Sequence, residues 1–598
     1  METKKPFRRL FALIAAAALL LSGCGSNENP SDSSAAEPES SALTWVTWGG
    51  YDGFWELLKE RAPDIEIEFV SYAGANYTGY SWAQMRADDI PDLFSTSQIL
   101  DENLAKERLV DLSDYDFLND LSTSILDQVS IDGGIYLLPV SNAMYGILYN
   151  KTLVEENGWE LPGNFEELET LCAEIRAKGL IPGLVGTQLT GNTFSAVFNL
   201  AKTDWLTTME GVQWERNFLS GDATAAGMWE PTMDYVQKYV DIGMYSTDPE
   251  DRSNSELIAD YMEGRKAVFF TMSALVESPT MTSGDEWGMM PYIGENGSKN
   301  IYMYNPTSYI GISKRLTEPG NEEKLEKAIR VLSLLYSPEG QATFVTENTP
   351  CVMNVLNSTV LSEDSMIYDV QQAMKEGRAF RMTYAGWENV LADMGQAYKE
   401  WFLGRNEMDG PKSIARMDEL QSDWLNNRDA LYFCESTADF TLEETARLVG
   451  KALGSMAGAD AVIIPYGTAY KDGVKLQDGI TGKLYAEKIN SEISNNICPG
   501  HDGEYAVMTL TGAQAKELAA AAFDLFGDGN PFPYALEVRG GGELEDNETY
   551  RVAFLIWSYT EEVVQTYSPQ TEKGSIRTYL REWMAEQGTV SPDGNPWN

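Results

Sequence analysis

Histidine, cysteine and basic residues are scarce in this chain, and each scarcity excludes a class of function. One His among 598 residues cannot supply the several imidazole ligands that zinc hydrolases and dinuclear phosphoesterases need. Only His501 is left for imidazole chemistry. The 44 Lys and Arg residues against 91 Asp and Glu give a net charge of −47, which repels nucleic-acid backbones and other polyanions. We therefore expect no metal, no cofactor and no nucleic-acid partner.

The acidity is spread along the whole chain. Cys434 to Asn598 holds 12 basic and 25 acidic residues, which leaves 32 and 66 for the first 433 residues. Both parts thus carry about −0.08 charges per residue, which is typical of an acidic soluble surface and not of a binding tail. The hydrophobic fraction of 43%, with 11% aromatic residues, is enough to form the cores of a large globular protein.

A long hydrophobic run occurs only at the N-terminus. Four basic residues precede the apolar run Leu10 to Leu21, the order of a secretory signal peptide, and the run is shorter than the roughly 20 residues of a transmembrane helix. Leu21-Ser22-Gly23-Cys24 resembles the lipobox of bacterial lipoproteins, whose cysteine is acylated. The prediction is a signal peptide over Met1–Gly23, lipidation of Cys24 and a flexible tether over residues 24–42, so that the protein is anchored to the cell membrane on its extracytoplasmic face. An ordinary signal peptide that contains a cysteine is the alternative.

The other cysteines give no sign of a metal cluster. Cys172, Cys351, Cys434 and Cys498 are far apart in the chain and form no CxxC motif. We interpret them as small buried apolar residues or as members of one or two disulfides.

From Leu43 onward, short β-branched or aromatic runs alternate with amphipathic helical patterns, which predicts an α/β fold. Leu43–Trp48 is expected to be a strand, Phe54–Arg61 a helix and Ile65–Tyr72 a second strand. Ligands of open α/β sheets bind beyond the carboxyl ends of strands. Trp48 and Tyr51 are therefore expected at the rim of a pocket, with two core aromatic residues as the alternative.

Eight segments in a fixed order carry a family resemblance. They are Asp89–Phe94, Leu109–Leu112, Gly134–Pro139, Tyr145–Lys151, Leu161–Leu168, Tyr261–Phe270, Trp287–Pro291 and Tyr336–Gln341. Together they resemble the extracellular solute-binding proteins of bacterial ABC importers, in particular the sugar-binding group related to maltose-binding protein. Within one segment, Asn164 is predicted to cap a helix with Glu167 at its third position.

The resemblance implies a two-lobed periplasmic-binding-protein type II fold over residues 43–430, with lobes that close on a solute. Aromatic rings pack on the C–H faces of sugars, while amides and carboxylates bind hydroxyl groups. The residues that match pocket-lining segments of the family are Trp48, Tyr51, Asn142, Tyr145, Trp229, Tyr304, Asn305, Tyr384 and Trp387. Asp92 is expected to be a strand-end or capping residue more than a solute contact.

A second α/β pattern occupies residues 434–598. Thr441–Glu444 is a capping box that opens a helix, and Ala459–Pro465 is a buried strand. With Tyr505–Leu510 and Thr511–Leu518, this order resembles the C-terminal domain of the 5′-nucleotidases, so a separate α/β (α+β) domain is expected. The loops that hold the nucleotide in that family differ here, for example in Pro465–Ala469, which implies a retained fold with a lost or altered nucleotide site.

The favoured hypothesis is a lipid-anchored protein that captures a small solute, expected to be a carbohydrate, and delivers it to the permease subunits of an ABC importer. It is not an enzyme in this interpretation. A surface sensor or adhesion protein is the first alternative. A nucleotide hydrolase is the second, and it is disfavoured because the catalytic metallophosphoesterase half of the nucleotidases is absent from the sequence.

Overall fold

The computed structural model describes most of the chain beyond its first forty residues. The described residues are 41–47, 51–72, 77–250, 252–271, 283–295, 299–345, 350–382, 384, 386–427, 431–471, 474–477, 479–480, 482–497, 504–520, 534–555, 567, 569–573 and 576–597. The predicted signal peptide, the predicted lipidation site Cys24, and Trp48, Cys498 and His501 lie outside the described residues.

Strands and helices alternate in the described residues between Leu43 and Asn426, as predicted. The chain begins with β1 (Leu43–Thr47), α1 (Asp52–Arg61), β2 (Ile67–Ser71), α2 (Tyr77–Ala87), β3 (Leu93–Thr96), α3 (Glu102–Arg108), α4 (Thr123–Val129), β4 (Ser130–Ile131), β5 (Gly134–Ile135) and β6 (Leu138–Pro139). It continues with β7 (Asn142–Tyr145), β8 (Ile147–Asn150), α5 (Lys151–Asn157), α6 (Phe165–Ala177), β9 (Ile181–Leu184), α7 (Thr190–Ala201), α8 (Met209–Ser220), α9 (Glu230–Asp241), α10 (Asn254–Leu257), β10 (Ala267–Phe270), β11 (Trp287–Met290) and β12 (Tyr302–Pro306). The third stretch contains β13 (Tyr309–Ile312), α11 (Glu322–Leu335), α12 (Pro338–Ala342), β14 (Val352–Met353), α13 (Tyr368–Lys375), β15 (Ala379–Arg381), α14 (Glu388–Phe402) and α15 (Gly410–Asn426).

Two sheets define two lobes, and a third sheet joins them. Lobe 1 contains the strand order β2-β1-β3-β13-β6, and lobe 2 contains the order β11-β8-β10-β9. The crossover sheet has the order β14-β7-β12-β15. Strand β7 carries the chain from lobe 1 into lobe 2, and its antiparallel partner β12 carries it back. Gly146 separates β7 from β8, and a Cβ atom there would lie 2.6 Å from the carbonyl oxygen of Met290.

The core of lobe 1 follows from the alternation of its first strand. Leu43, Trp45 and Thr47 are buried while the residues between them are half-buried, as the two-residue period of a strand requires. Asp92 stands at the start of β3, and its Oδ2 accepts hydrogen bonds from the backbone N–H and the hydroxyl of Thr44, at 2.9 and 3.2 Å. Asp92 therefore holds β3 against β1, a structural role.

Lobe 2 is built around α7, on which every residue from Asn192 to Ala201 is buried. Helices α14 and α15 return to this lobe and pack against α7 and α9. The predicted cap of α6 is confirmed: the side chain of Asn164 accepts a hydrogen bond from the backbone N–H of Glu167 at 3.0 Å.

A C-terminal subdomain follows α15. Its elements are β16 (Cys434–Ser436), α16 (Leu442–Ala457), β17 (Ala461–Pro465), β18 (Thr468–Lys471), β19 (Val474–Gln477), β20 (Lys488–Ile489), α17 (Ser491–Ile497), β21 (Glu504–Thr511), α18 (Gly512–Ala520), β22 (Tyr534–Val538), β23 (Thr549–Leu555), β24 (Gln570–Lys573), α19 (Ile576–Gln587) and β25 (Thr589–Val590). The sheet β22-β17-β23-β21-β24 forms its centre. The predicted capping box is confirmed, since Thr441 and Glu444 exchange both hydrogen bonds at the start of α16.

The C-terminal subdomain shares a sheet with lobe 1, although it follows lobe 2 in the chain. Strand β19 pairs in parallel with β2, with Lys475 beside Val70, so the hairpin β18-β19 extends the lobe 1 sheet to seven strands. The hydroxyl of Tyr485 donates a hydrogen bond to Asp89 Oδ2 at 3.0 Å. The predicted boundary at residues 430–434 falls between α15 and β16. Residues 42–598 nevertheless form one compact unit.

Candidate functional site: the cleft between the lobes

The strand registers bring the carboxyl ends of the lobe 1 strands to the crossover sheet. Strand β6 ends at Pro139, and two residues separate it from the start of β7 at Asn142. Strand β13 begins at Tyr309, which pairs with Thr96, the last residue of β3. Because β1 runs parallel to β3, both crossover strands meet lobe 1 at the edge where β1 and β3 end.

Lobe 2 presents the equivalent edge. Strand β8 starts at Ile147, and its next residue, Leu148, pairs with Phe270 at the end of β10. Strand β9 is parallel to β10, and its last residue, Leu184, also pairs with Phe270. The carboxyl ends of parallel strands in both lobes therefore meet at the crossover sheet, which is where open α/β sheets bind ligands.

Four predicted site residues lie on the two crossover strands. Tyr145 lies opposite Met303, and Asn305 lies opposite Ala143, so Tyr145 and Asn305 share one face of the sheet. Both are half-buried. Burial raises the pKa of the Tyr145 hydroxyl to about 12, so it is protonated and able to donate a hydrogen bond at neutral pH.

The other two residues, Asn142 and Tyr304, lie on the opposite face of the crossover strands. The hydroxyl of Tyr304 accepts a hydrogen bond from the side-chain amide of Gln128, a residue of α4 in lobe 1. Asn142 is 1% exposed, yet neither its amide nitrogen nor its amide oxygen has a hydrogen-bond partner among the described residues. A buried amide without partners costs about 1–3 kcal/mol, so it calls for a functional explanation.

Tyr384 connects the segment after β15 to α7. Its hydroxyl lies 2.6 Å from Oγ of Ser195, and its ring packs edge-on against Phe194 and Phe198 at 5.3 and 5.5 Å. Burial raises the pKa of this hydroxyl, and the hydrogen bond with Ser195 opposes the rise. Tyr384 is half-buried, as is Tyr145.

The two predicted tryptophans, Trp229 and Trp387, lie in the core of lobe 2. Both are 0% exposed. The indole N–H of Trp387 donates to Oε1 of Glu215 at 2.8 Å, and its ring stacks on Phe218 at 5.1 Å. Trp229 packs against Trp214 at 5.8 Å. In this structure neither ring is open to a solute, and their role as solute contacts stays a prediction.

Tyr51 occupies the edge of lobe 1 but is only 4% exposed. Its ring packs edge-on against Trp45 at 4.9 Å and Phe344 at 5.3 Å, and its hydroxyl lies 2.9 Å from Oγ of Ser308. Burial raises its pKa to about 12. The position beyond β1 matches the prediction, while the packing matches the alternative of a core aromatic residue.

Sequence reasoning missed a polar stripe on α7 and the residue that follows it. Asn192, Ser195, Asn199 and Lys202 are spaced by three, four and three residues, and each is at most 7% exposed. This spacing places them on one face of the helix. The signal was visible in the sequence as polar residues at helical spacing within an otherwise apolar segment. Asn199 is 0% exposed, and neither its amide nitrogen nor its amide oxygen has a hydrogen-bond partner among the described residues.

The described residues supply no obvious catalytic centre of the metal-dependent kind. No group of three or more His, Cys, Asp or Glu side chains in the described part of the chain is arranged to hold a metal ion. Cys172, Cys351 and Cys434 are buried free thiols, so the interpretation as small buried residues is confirmed for these three. The helices of the described ranges all fall short of the length and hydrophobicity that a bilayer crossing requires.

Two α/β lobes, joined by antiparallel crossover strands and presenting their strand ends to one cleft, define a two-lobed solute-binding protein. The model of the bacterial extracellular solute-binding protein family matches residues 56–366, just over half of the chain. The chain belongs to this family, and the predicted solute-binding function is confirmed.

Individual relatives agree with this assignment. The chain is 23% identical over 314 residues to an uncharacterized ABC transporter extracellular-binding protein of Pyrococcus horikoshii, covering 50% of this chain and 69% of that protein. It is 26% identical over 166 residues to the melibiose/raffinose/stachyose-binding protein MelE of Bacillus subtilis, covering 27% of this chain and 38% of MelE. The crystal structure of the binding protein msme of Bacillus subtilis, in an open conformation, superimposes with a TM-score of 0.53 at 14% identity, covering 66% of this chain and 99% of that one.

Proposed function

We propose that this protein binds a carbohydrate in the cleft between its lobes and delivers it to the permease subunits of an ABC importer. The observation that carries the proposal is that Tyr145 and Asn305, both half-buried, share one face of the crossover sheet, where the carboxyl ends of the strands of both lobes meet. Sugar hydroxyl groups can form hydrogen bonds with the amide of Asn305. The rings of Tyr145 and Tyr384 are proposed to pack on the C–H surface of a sugar.

The proposed mechanism is non-covalent. A solute that contacts groups of both lobes and of the crossover sheet stabilises the closed arrangement, because only that arrangement makes all the contacts at once. We assign direct contact to Tyr145, Asn305 and Tyr384. Asn142 lies on the opposite face of the crossover strands and remains a candidate. Trp48 and Tyr51 remain candidates at the lobe 1 edge. We propose that Tyr304, Trp229 and Trp387 support the residues that line the cleft without contacting the solute.

The carbohydrate class is supported by one relative and by the residue chemistry. MelE is named for binding melibiose, raffinose and stachyose, and the Pyrococcus relative is named for an ABC transporter. The tyrosine and asparagine side chains of the crossover sheet are the groups that sugar sites use. No step requires a cofactor, and we propose no catalytic activity.

The anchor and the C-terminal subdomain complete the proposal. We propose that Cys24 is lipidated and holds the protein on the outer face of the membrane. The C-terminal subdomain is proposed to keep the framework of the 5′-nucleotidase C-terminal domain without its nucleotide site. The loop after β17 supports the proposed loss of the nucleotide site, because it leads directly into the hairpin β18-β19, which pairs with lobe 1.

A thermal-shift screen followed by calorimetry tests the proposal. The screen contains raffinose, stachyose, melibiose, maltotriose, cello- and xylo-oligosaccharides and their singly acidic derivatives, with nucleosides and polyamines as other classes. A saccharide should raise the melting temperature and bind with a measurable heat, and binding only to a nucleoside or polyamine would contradict the proposal. Cys24→Ala should release the protein from the membrane, and unchanged retention would contradict the anchor.

A further inference from the structure

The hairpin β18-β19 attaches the C-terminal subdomain to lobe 1, and its direction relative to the cleft follows from the strand register. Strand β19 is parallel to β2, with Leu476 beside Ser71, the last residue of β2. Strand β2 is parallel to β1 in turn. Strand β19 therefore ends at the same edge of the sheet as β1, β2 and β3, which is the edge at which the crossover strands meet lobe 1.

The base of this hairpin, and not its turn, lies at the cleft edge. Gln477, the last residue of β19, pairs with Thr468, the first residue of β18. Just beyond this pair, Tyr466 forms an isolated bridge with Ile480, and the backbone N–H of Ile480 donates to the carbonyl oxygen of Pro465 at 3.0 Å. The chain of the subdomain thus enters and leaves the lobe 1 sheet at the edge where the solute is proposed to bind.

Tyr466 supplies an aromatic ring at the base of the hairpin. It is half-buried and packs in part on the core of the C-terminal subdomain. On the lobe 1 side of this edge, the hydroxyl of Tyr77 shares its hydrogen bond between the carbonyl oxygens of Val46 and Ser95, at 2.7 and 3.0 Å. This bond fixes the start of α2 to β1 and β3, so the edge that leads from the crossover sheet to Tyr466 is braced.

The width of lobe 1 sets the size of a solute that could reach Tyr466. The sheet order β19-β2-β1-β3-β13 places β19 four strand spacings from β13, or about 19 Å. Strand β13 follows the crossover strand β12, on which Asn305 lies opposite Ala143. A single sugar ring is too short to contact the crossover sheet and Tyr466 together, whereas an oligosaccharide can contact both.

We propose that the solute is an oligosaccharide longer than a disaccharide, that it extends from the crossover sheet along the cleft edge of lobe 1, and that the ring of Tyr466 packs on its far end. This inference rests on the proposed carbohydrate-binding function. The pairing of β19 with β2 and the hydrogen bond from Tyr485 to Asp89 hold the subdomain on lobe 1, so Tyr466 is positioned before the solute binds, which favours affinity. The C-terminal subdomain then selects solutes by their length.

The test measures affinity along series of saccharides in which each member adds one unit. Calorimetry on the full chain uses melibiose, raffinose and stachyose, together with cello- and xylo-oligosaccharides. In the series that binds, affinity should rise at least about tenfold from the shortest to the longest member. Tyr466→Ala should lose most of this gain and bind the shortest member as the wild type does. Tyr466→Phe should keep the gain, because it retains the ring.

Controls separate the inference from unfolding and from the broader proposal. Tyr466→Leu retains an apolar side chain for the core of the subdomain but removes the ring, and it should lose the gain with length as Tyr466→Ala does. Tyr432→Ala truncates an exposed tyrosine outside the hairpin and should keep the gain. Equal affinities along the wild-type series, or a gain that survives loss of the Tyr466 ring, would overturn the extended site alone. Failure of every saccharide to bind would overturn the proposed function as well.

Discussion

The hydroxyl of Tyr384 lies 2.6 Å from Oγ of Ser195, which joins the segment after the crossover sheet to the polar stripe of α7 in lobe 2. Ser195 also donates a hydrogen bond to the carbonyl oxygen of Gly191 at 2.7 Å, so the phenol is held in a defined position. A ring fixed in this way loses little entropy when a sugar packs on it, which favours affinity.

Truncation of this ring should therefore weaken solute binding. Tyr384→Ala is expected to cost about 1–3 kcal/mol of binding free energy, since the ring is a partly desolvated contact. Tyr384→Phe keeps the ring and should cost less. Calorimetry with the best saccharide of the screen measures both. Tyr432→Ala, which truncates an exposed tyrosine of the region after α15, should bind normally, and equal affinities for all three variants would remove Tyr384 from the site.

Replacing Asn142 by an apolar residue should raise the stability of the solute-free protein and lower its affinity for the solute. Replacement by Leu removes a buried amide that has no partner among the described residues, so Asn142→Leu is expected to stabilise the solute-free protein by about 1–3 kcal/mol. The same change should lower solute affinity at least about tenfold. Chemical unfolding and calorimetry measure the two effects.

A second buried amide provides the matched control for Asn142. In Gln371, 5% exposed, Oε1 accepts from the backbone N–H of Leu361 at 3.2 Å and Nε2 donates to the carbonyl oxygen of Thr359 at 3.0 Å. Gln371→Leu should therefore destabilise the protein. A loss of stability in both variants would show that Asn142 is a structural residue.

A substitution of Trp387 distinguishes a role in solute contact from a role in the core of lobe 2. The sequence predicted a solute contact, while the structure places the ring in the lobe 2 core with its N–H on Glu215. A core role predicts that Trp387→Ala lowers the free energy of unfolding of lobe 2 by about 3–5 kcal/mol. Urea unfolding measures it. Unchanged stability together with lost affinity would restore the role predicted from the sequence.

Asp204 should make stability depend on pH. Burial raises its pKa to about 6, while the backbone N–H of Glu295 opposes the shift. The folded state therefore binds a proton more tightly than the unfolded state, so this residue's contribution falls as pH rises from about 4 to about 6. Asp204→Asn keeps an acceptor for Glu295 and should stabilise the protein by about 1 kcal/mol at pH 7.5, after allowance for partial exposure.

The gain from Asp204→Asn should be smaller at pH 5.0 than at pH 7.5, because the wild-type carboxyl group is then mostly protonated in the folded state. Calorimetric melting temperatures at the two pH values measure the difference. A gain of equal size at both values would show that the ionisation of Asp204 does not influence stability in this range.

Asp89 should contribute to the docking of the C-terminal subdomain on lobe 1. Its carboxylate accepts from Tyr485 and pairs with Lys483. Asp89→Asn is expected to weaken docking by about 0.5–1 kcal/mol, because the group is partly exposed. Hydrogen exchange of the β19 amides should become faster. Asp88→Asn, whose partner Arg108 belongs to lobe 1 itself, should leave β19 unchanged, and identical exchange in both variants would contradict this role of Asp89.

The sequence predicted the features that depend on local order. The caps at Asn164 and Thr441 and the strand β1 follow from neighbouring residues alone. The family resemblance selected Tyr145 and Asn305 as candidate pocket residues, and the structure places them on the crossover strands. The polar stripe of α7 was visible in the sequence, but its function could not be inferred before the structure showed where the cleft lies.

Long-range relationships could not be predicted in this way. Lys475 pairs with Val70 about four hundred residues away, and no local pattern specifies the partner of an edge strand. A tryptophan such as Trp387 has the same sequence signature in a core as in a sugar site, and only its packing distinguishes them.

The central claim is that the cleft beside the crossover sheet binds a saccharide. Hydrogen–deuterium exchange of the wild-type protein, with and without a saturating concentration of the best saccharide of the screen, tests it most directly. The account predicts protection concentrated in β7, β12 and the start of α7. Protection confined to the C-terminal subdomain, with the exchange of both crossover strands unchanged, would contradict it.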